Sequence, residues 1–167
     1  MSLLGSAIFL VIAPGGIGVY VPWLFSRWRF QPAFFGIAAV RVVGGILIGL
    51  GAIVVLESFG RFTMQGLGTP APVMPPKHLV VKGFYRYVRN PMYVAVSSII
   101  FGQALLFGNL QVLEYGVAVA VGFHLFVLGY EEPTLRNTFG AEYDEFCANV
   151  PRWVPRFGAW HGGGLGD

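Results

Sequence analysis

The sequence predicts an all-α integral membrane protein with about four transmembrane helices, and three observations lead there. Hydrophobic residues make up 55% of the chain and charged residues only 11%, where a soluble domain carries about 25% charge. Mean hydropathy is +0.65. Four apolar stretches, roughly Leu3 to Phe25, Ala33 to Leu56, Met92 to Phe107 and Leu110 to Tyr130, approach the about 20 residues that cross a bilayer. In a chain of 167 residues, they leave little for a separate soluble catalytic domain. A single membrane domain spanning 1–167 is expected, with an N-terminal two-helix part over 3–56, and any chemistry must sit in or beside the membrane.

The first stretch has no basic residues ahead of it and no small-residue cleavage site behind it, so it is expected to stay as a helix rather than leave as a signal peptide. Its Pro14-Gly15-Gly16 run should kink that helix. The third stretch is short. Bounded by Pro91 and by Gly108-Asn109, it either forms a tight helical hairpin with the fourth or stops short of a full crossing. Between the second and third, Thr69-Pro70-Ala71-Pro72 and Pro75-Pro76 read as an extended strap, because proline removes helix donors.

After the fourth stretch, Leu135, Phe139, Tyr143, Phe146 and Val150 recur at helical spacing among Glu142, Asp144 and Glu145, the pattern of an interfacial amphipathic helix. The Gly-rich end, 161–167, reads as disordered. Cys147 is the only cysteine, so no intrachain disulfide forms, and no Cys and His spacing offers a metal site.

If all four stretches cross, one side collects Arg27 and Arg29. The other collects Arg61, Lys77, Lys82, Arg86, Arg89, Arg136, Arg152 and Arg156. The positive-inside rule then puts both termini, the long loop Glu57 to Pro91 and the tail in the cytoplasm.

Charged residues inside a bilayer are costly and draw attention first. Arg41 and Glu114 lie near the extracytoplasmic ends of their stretches, where snorkelling or mutual pairing accounts for them. His124 precedes Glu131 by nearly two turns, so the two can share a face; an interhelical hydrogen bond is the simpler role for it. Glu131-Glu132 is followed by Pro133, whose missing N–H frees the Gly129 carbonyl and bends the helix. The result is a cluster of acceptors at the membrane boundary, suited to an ammonium or hydroxyl ligand, or simply a helix ending in water. The run from Gly83 to Tyr93 places Arg86 and Arg89 three apart among aromatic rings. It reads as a grip for a carboxylate or phosphate, or as ordinary interface anchors.

Taken together, these motifs resemble the C-terminal core of the superfamily of isoprenylcysteine carboxyl methyltransferases and phosphatidylethanolamine N-methyltransferases. Arg89-Asn90-Pro91-Met92-Tyr93 resembles the family's Arg-His-Pro-x-Tyr motif, and Glu131-Glu132 its paired glutamates. Phe139-Gly140-x-x-Tyr143-x-x-Phe146 with Val150-Pro151-Arg152-Trp153 resembles its tail. The resemblance covers the core 79–156. It implies that the cytoplasmic loop and tail close a pocket for S-adenosylmethionine, with S-adenosylhomocysteine as product, and that a lipophilic acceptor enters from the membrane.

By the same resemblance Arg89, Asn90, Pro91, Tyr93, Glu131 and Glu132 would contact the cofactor, and His124 joins these candidates through the face it can share with Glu131. Glu132 and Arg136 are the catalytic candidates, Arg136 by folding back to orient an anionic acceptor or the cofactor carboxylate. Gly49-Leu50-Gly51 resembles a Gly-x-Gly element of phospholipid methyltransferases. Asn90 departs from the family's His, which removes a titratable imidazole at that position.

Two rival readings stand beside this one: an NADPH-dependent reductase of the sterol reductase type, using Lys82, Arg86 and Arg89 for a phosphate, and a non-catalytic lipid-binding protein. No nucleic-acid module, P-loop or nucleophile elbow is present. The acceptor's identity and the oligomeric state are left open. A reporter fused to the C-terminus is expected to read as cytoplasmic, and an extracytoplasmic reading overturns the orientation.

Overall fold

The computed structural model describes residues 11–64, 79 and 81–161. The start of the first apolar stretch, the strap Thr69 to Pro76 and the Gly-rich end after His161 lie outside the described residues. Among the described residues the regular structure is helical throughout.

Helix α1 comprises Val11–Tyr20, wound with π spacing, and its α-helical continuation Val21–Ser26. The irregularity expected at Pro14-Gly15-Gly16 therefore takes the form of π winding. Pro22 has no N–H to return to the carbonyl four residues back, which leaves Gly18 without its α-helical donor. Gln103 Nε2 donates to that carbonyl at 2.6 Å, and Tyr115 Oη donates to the Ile17 carbonyl at 3.0 Å. In hydrocarbon such groups must find partners inside the protein. Two side chains from other helices thus fix α1 in place.

Helix α2 (Ala39–Met64) runs antiparallel to α3 (Pro91–Phe107), and the pair makes the most extensive helix contact in the fold. The seam is built from small residues. A Cβ on Gly44 would come within 2.6 Å of the Gly102 carbonyl and the Leu106 N–H, and one on Gly51 within 2.7 Å of the Ala95 carbonyl. Close approach of this kind replaces the hydrophobic drive that lipid does not provide. Gly51 of the Gly-Leu-Gly element thus serves helix packing, while a Cβ on Gly49 would meet nothing within 4 Å.

A tight turn links α3 to α4 (Leu110–Phe126). Gly108 adopts a left-handed conformation (φ 69°) at the end of α3, and Asn109 caps α4 by accepting a hydrogen bond from the Val112 N–H at 2.9 Å. This is the helical hairpin that the sequence offered as one alternative. The loop between α1 and α2 sits at the same end: the Gln31 N–H donates to the Phe107 carbonyl, and Arg41 donates to the Gln31 and Leu106 carbonyls. Arg41 is accounted for by these bonds rather than by Glu114.

The chain does not break after α4. A π turn at Val127–Glu131 leads into α5 (Glu132–Phe139), giving an apolar helical rod from Leu110 to Phe139. The widened turn lies immediately before Pro133, where a regular ladder would lack a donor.

Two rods, Ala39–Gly60 and Leu110–Phe139, are long and apolar enough to cross a membrane, and only 17% of each apolar window is buried. Their outer faces, Val42, Ile46, Leu50 and Ile53 on α2 and Val117, Val121 and Leu125 on α4, are exposed apolar stripes that suit lipid contact. Helix α3, at 17 residues, rises about 25 Å against about 30 Å of hydrocarbon. It is the central helix, with Ala95, Val96, Ile100 and Ala104 buried.

The amphipathic segment expected after the fourth stretch is two short helices. Helix α5 ends and α6 (Ala141–Asn149) begins at Gly140 (φ 54°, ψ −126°). Its apolar residues still share one side: Tyr143, Phe146 and Val150 are buried against Leu135, Phe139, Leu79, Val81 and Trp160. That side packs on the chain itself.

The glycine seam makes a paired prediction. Gly44→Leu drives a side chain into the α3 backbone, an overpacking cost of about 1–3 kcal/mol, and is expected to lower the thermal midpoint in detergent by several degrees. Gly45→Leu, at a position where a Cβ meets nothing within 4 Å, is expected to leave it unchanged. Equal midpoints for the two variants would contradict the seam.

Candidate functional site

A cavity of about 520 Å³ opens between α1, α3, α4 and the short 3-10 turn Gly83–Arg86, within the usual range for small-ligand sites. Helical spacing explains its walls. Tyr115, Val119, Phe123 and Phe126 recur along one face of α4, Tyr93 and Val96 project from α3, and Ile17 closes the α1 side. Most of the lining is apolar. The polar groups gather at one end, where Tyr85, Arg89, Asn90, Tyr93 and Glu131 meet.

Neighbours on a helix point about 100° apart at 3.6 residues per turn, and the two glutamates use that angle to separate. Glu131 lines the cavity and accepts a hydrogen bond from Tyr93 Oη at 2.9 Å. The Tyr93 ring packs on Phe123, with centroids 4.7 Å apart, so the Oη is held in position. Glu132 turns the other way and is 7% exposed. Its carboxylate accepts a two-pronged bond from Arg152, at 2.5 and 3.0 Å, and a third from Arg89 Nη1 at 3.1 Å. Such forked guanidinium–carboxylate pairs are the stronger class of ionic hydrogen bond.

Arg89 is the link between this clamp and the cavity. Its Nη1 donates to Glu132 and to Cys147 Sγ (2.8 Å), while its buried Nε–H has no hydrogen-bond partner among the described residues. A buried donor left unmatched is costly, and this one belongs to a residue that lines the cavity. The two guanidiniums share the Glu132 carboxylate, and the Glu131 carboxylate lines the same end of the cavity, so charges of both signs meet there.

The chain beyond α6 straps down the segment that carries Arg89. The Arg89 N–H donates to the Pro151 carbonyl (2.9 Å), the Arg156 N–H to Tyr87 (3.0 Å) and the Trp160 N–H to Arg86 (2.9 Å). Arg86 Nε returns a bond to the Trp160 carbonyl, and Asn90 Nδ2 donates to the Arg152 carbonyl at 3.2 Å. Trp153 Nε1 donates to His124 Nδ1 at 3.0 Å. Burial holds the Tyr143 phenol well above its ordinary range, so it stays neutral beneath this strap. The hydrogen bond to Glu132 raises the Arg152 guanidinium further above its already high value.

The structure thus sorts the candidates. Arg89, Asn90, Tyr93 and Glu131 meet at the cavity. Glu132 stands behind them as the counter-charge of the clamp, and His124 faces Trp153 of the strap. Pro91 opens α3 and faces a second, almost wholly apolar cavity of about 370 Å³ on the α2 side, where Gly51 also lies. Arg136 does not fold back over the site: it is exposed and ion-paired with Asp144 at 2.7 Å, because its place on the short helix α5 aims it across the Gly140 break toward α6. Not singled out beforehand were Tyr85, Ile17 and Tyr115 as wall residues and Arg152 as the second arm of the clamp. Tyr85 and Arg152 stood within motifs that the sequence displayed; Ile17 and Tyr115 carried no signal beyond their hydrophobic surroundings.

Removing the clamp's charge has a defined cost. Glu132→Gln leaves two guanidiniums without their carboxylate, a loss of about 2–3 kcal/mol when discounted for the partial exposure of Arg152. It is expected to lower the unfolding midpoint well beyond Arg136→Gln, which removes only an exposed pair. Unfolding curves for the two variants that coincide would contradict the clamp.

Comparison with curated proteins found no match. A family model described as phospholipid methyltransferase matches residues 39–142, a span that holds α2 to α5, the Arg89 to Tyr93 segment and both glutamates, and stops short of the strap. The chain therefore belongs to the phospholipid methyltransferase family, a family of membrane methyltransferases.

Proposed function

We propose that this protein transfers a methyl group from S-adenosylmethionine to a lipophilic acceptor held in the cavity between α1, α3 and α4. The observation that carries this reading is the division of one cavity into a charged end and an apolar length. At the charged end Arg89 and Glu131 are the two charged residues of the lining, a guanidinium and a carboxylate in the same part of the cavity. That donor set fits the amino-acid portion of the cofactor, which carries both a carboxylate and an ammonium.

Arg89 would hold the carboxylate, Glu131 the ammonium or the ribose hydroxyls, and Asn90 would line the same end as a neutral hydrogen-bonding group. The cofactor, when bound, supplies an electrophilic methyl on a sulfonium, which becomes a thioether as the acceptor's lone pair takes the methyl. The protein's part is alignment and exclusion of water. Tyr93 orients Glu131, Glu132 and Arg152 hold Arg89, and the aromatic and aliphatic walls keep the reacting groups dry. Asn90 holds no exchangeable charge, so an acceptor that must lose a proton depends on another group.

The reading extends to topology: four crossings, with the termini and the charged end on the cytoplasmic side where the cofactor is dissolved. The NADPH reading draws less support. Of the three cations it needs, only Arg89 lines the cavity, while Arg86 is bonded to the Trp160 carbonyl and Lys82 is exposed.

Calorimetric titration of the detergent-solubilised protein with S-adenosylhomocysteine tests the cofactor without needing the acceptor. Stoichiometric binding, weakened about tenfold (about 1.4 kcal/mol) by Glu131→Gln and by Arg89→Gln, is the expected result. A folded sample that does not bind it overturns the proposal.

A further inference from the structure

Helix α3 and the segment ahead of it form a wall between two cavities. Arg89, Asn90, Tyr93 and Val96 line the first, between α1, α3 and α4. Val88, Pro91, Val94 and Ser98 line the second, on the α2 side. Whatever fills the second cavity therefore presses on the back of the residues that form the charged end of the first.

Two stripes of equal spacing shape this second cavity: Leu47, Leu50, Gly51 and Val54 on α2, and Pro91, Val94, Ala95 and Ser98 on α3. Each repeats at three and four residues, which is one face of a helix. Phe84, Tyr87 and Val88, with Pro155 of the strap, close one end. From Leu47 to Val54 the groove runs about 10 Å at 1.5 Å per residue.

The occupant follows from depth, access, polarity and size. Leu47 and Leu50 lie midway along the apolar rod Ala39–Gly60, so the groove reaches from the strap to the depth of the hydrocarbon centre, where an irregular loop would bury unpaired backbone groups. Leu50 lines the groove and is also 57% exposed, which opens the groove onto the lipid-facing stripe of α2. Water finds little to bond there. Ser98 turns its hydroxyl to the Val94 carbonyl at 2.8 Å, and the Tyr87 carbonyl is taken by the Arg156 N–H, whereas a held water needs two to four polar partners. A helix, about 10–12 Å across with its side chains, is too thick for a roofed groove of about 370 Å³. A single hydrocarbon chain lying along α2 meets all four conditions.

We propose that this groove holds one acyl chain of a bilayer phospholipid as a resident, unreacting ligand that braces the Arg89 segment from behind. The site is separate from the methyl-transfer cavity and does not rest on that reading. The head of the lipid lies beside the strap, where the segments that close the groove carry Lys82, Arg86 and Arg156, so an anionic head is favoured.

The test adds phosphatidylglycerol to the delipidated full chain in detergent, counts bound lipid by native mass spectrometry and follows backbone hydrogen exchange. Binding is expected to slow exchange at least threefold in the peptides that hold Val88 to Asn90 and Pro151 to Arg156. Ser98→Leu, which fills the groove, and Leu50→Trp, which covers its rim, are expected to weaken this binding at least tenfold and to remove its effect on exchange. Leu50 is exposed, so its replacement tests the groove even where Ser98→Leu unfolds the protein. Val119→Phe, which narrows the first cavity, is expected to leave that lipid and its protection in place.

No bound phosphatidylglycerol, or protection that responds to Val119→Phe and to neither groove variant, overturns the proposal. Protection that needs no lipid but is lost on deletion of residues 66–76 gives the groove to that loop, and a dimer that Leu50→Trp dissociates gives it to a second copy; either result overturns it as well. S-adenosylhomocysteine titration of the same samples reads the cofactor assignment separately, and failure of either result leaves the other standing.

Discussion

The arrangement of the site depends on the carboxylate of Glu132. Among the described residues it is the acidic group that holds both Arg89, from the segment leading into α3, and Arg152, from the strap beyond α6. Three parts of the chain distant in sequence converge on it. A carboxylate at 7% exposure is tolerable only because its oxygens are matched by guanidinium donors, and those donors reach it only when the strap lies across the Arg89 segment. Burial of the charge and closure of the strap are therefore one event.

The clamp also decides what its neighbour does. With Glu132 fixed toward the strap, helical geometry leaves Glu131 facing the cavity, where Tyr93 receives it. The π turn at Val127–Glu131 precedes this point and lets the rod continue past Pro133 into α5. A similar economy fixes α1: carbonyls freed near Pro22 are taken up by Gln103 and Tyr115, which seats Ile17 as a cavity wall. In both places a proline creates an unmet backbone requirement, and the fold meets it with tertiary contacts that also shape the site.

Much of this was legible in the sequence, for identifiable reasons. The long apolar runs, the Gly108-Asn109 turn and the order of the Arg89 to Tyr93 and Glu131-Glu132 motifs depend on local composition and spacing, which a sequence records directly. The direction of a side chain does not. Arg136 and Arg152 are both arginines of the tail, yet one ends on an exposed aspartate and the other in the buried clamp. The difference lies in the turn at Gly140, which splits an apparently continuous amphipathic pattern. The apolar spacing from Leu135 to Val150 identified the buried side correctly, because residues of two short helices can share one face across a glycine hinge. Gly49 and Gly51 resembled a Gly-x-Gly element of phospholipid methyltransferases, and the structure adds that Gly51 packs on α3 whereas a Cβ on Gly49 would meet nothing within 4 Å.

The strap shows where pattern reading stops for a physical reason. Its bonds to the Arg86 to Arg89 segment run largely through the backbone, from Arg89 to Pro151, Arg156 to Tyr87 and Trp160 to Arg86, and backbone bonds require a path of the chain rather than particular side chains. Side-chain identity enters through Arg152 and Trp153, on Glu132 and His124, and through Trp160, whose ring packs on Phe146. The family match ends at residue 142, before the strap begins, although the strap is what holds Arg89 at the cavity. Residues that meet a ligand leave a recognisable signature; a segment that closes over them by main-chain bonding need leave very little. The part of the site least visible in the sequence is thus the part that holds the visible residues together.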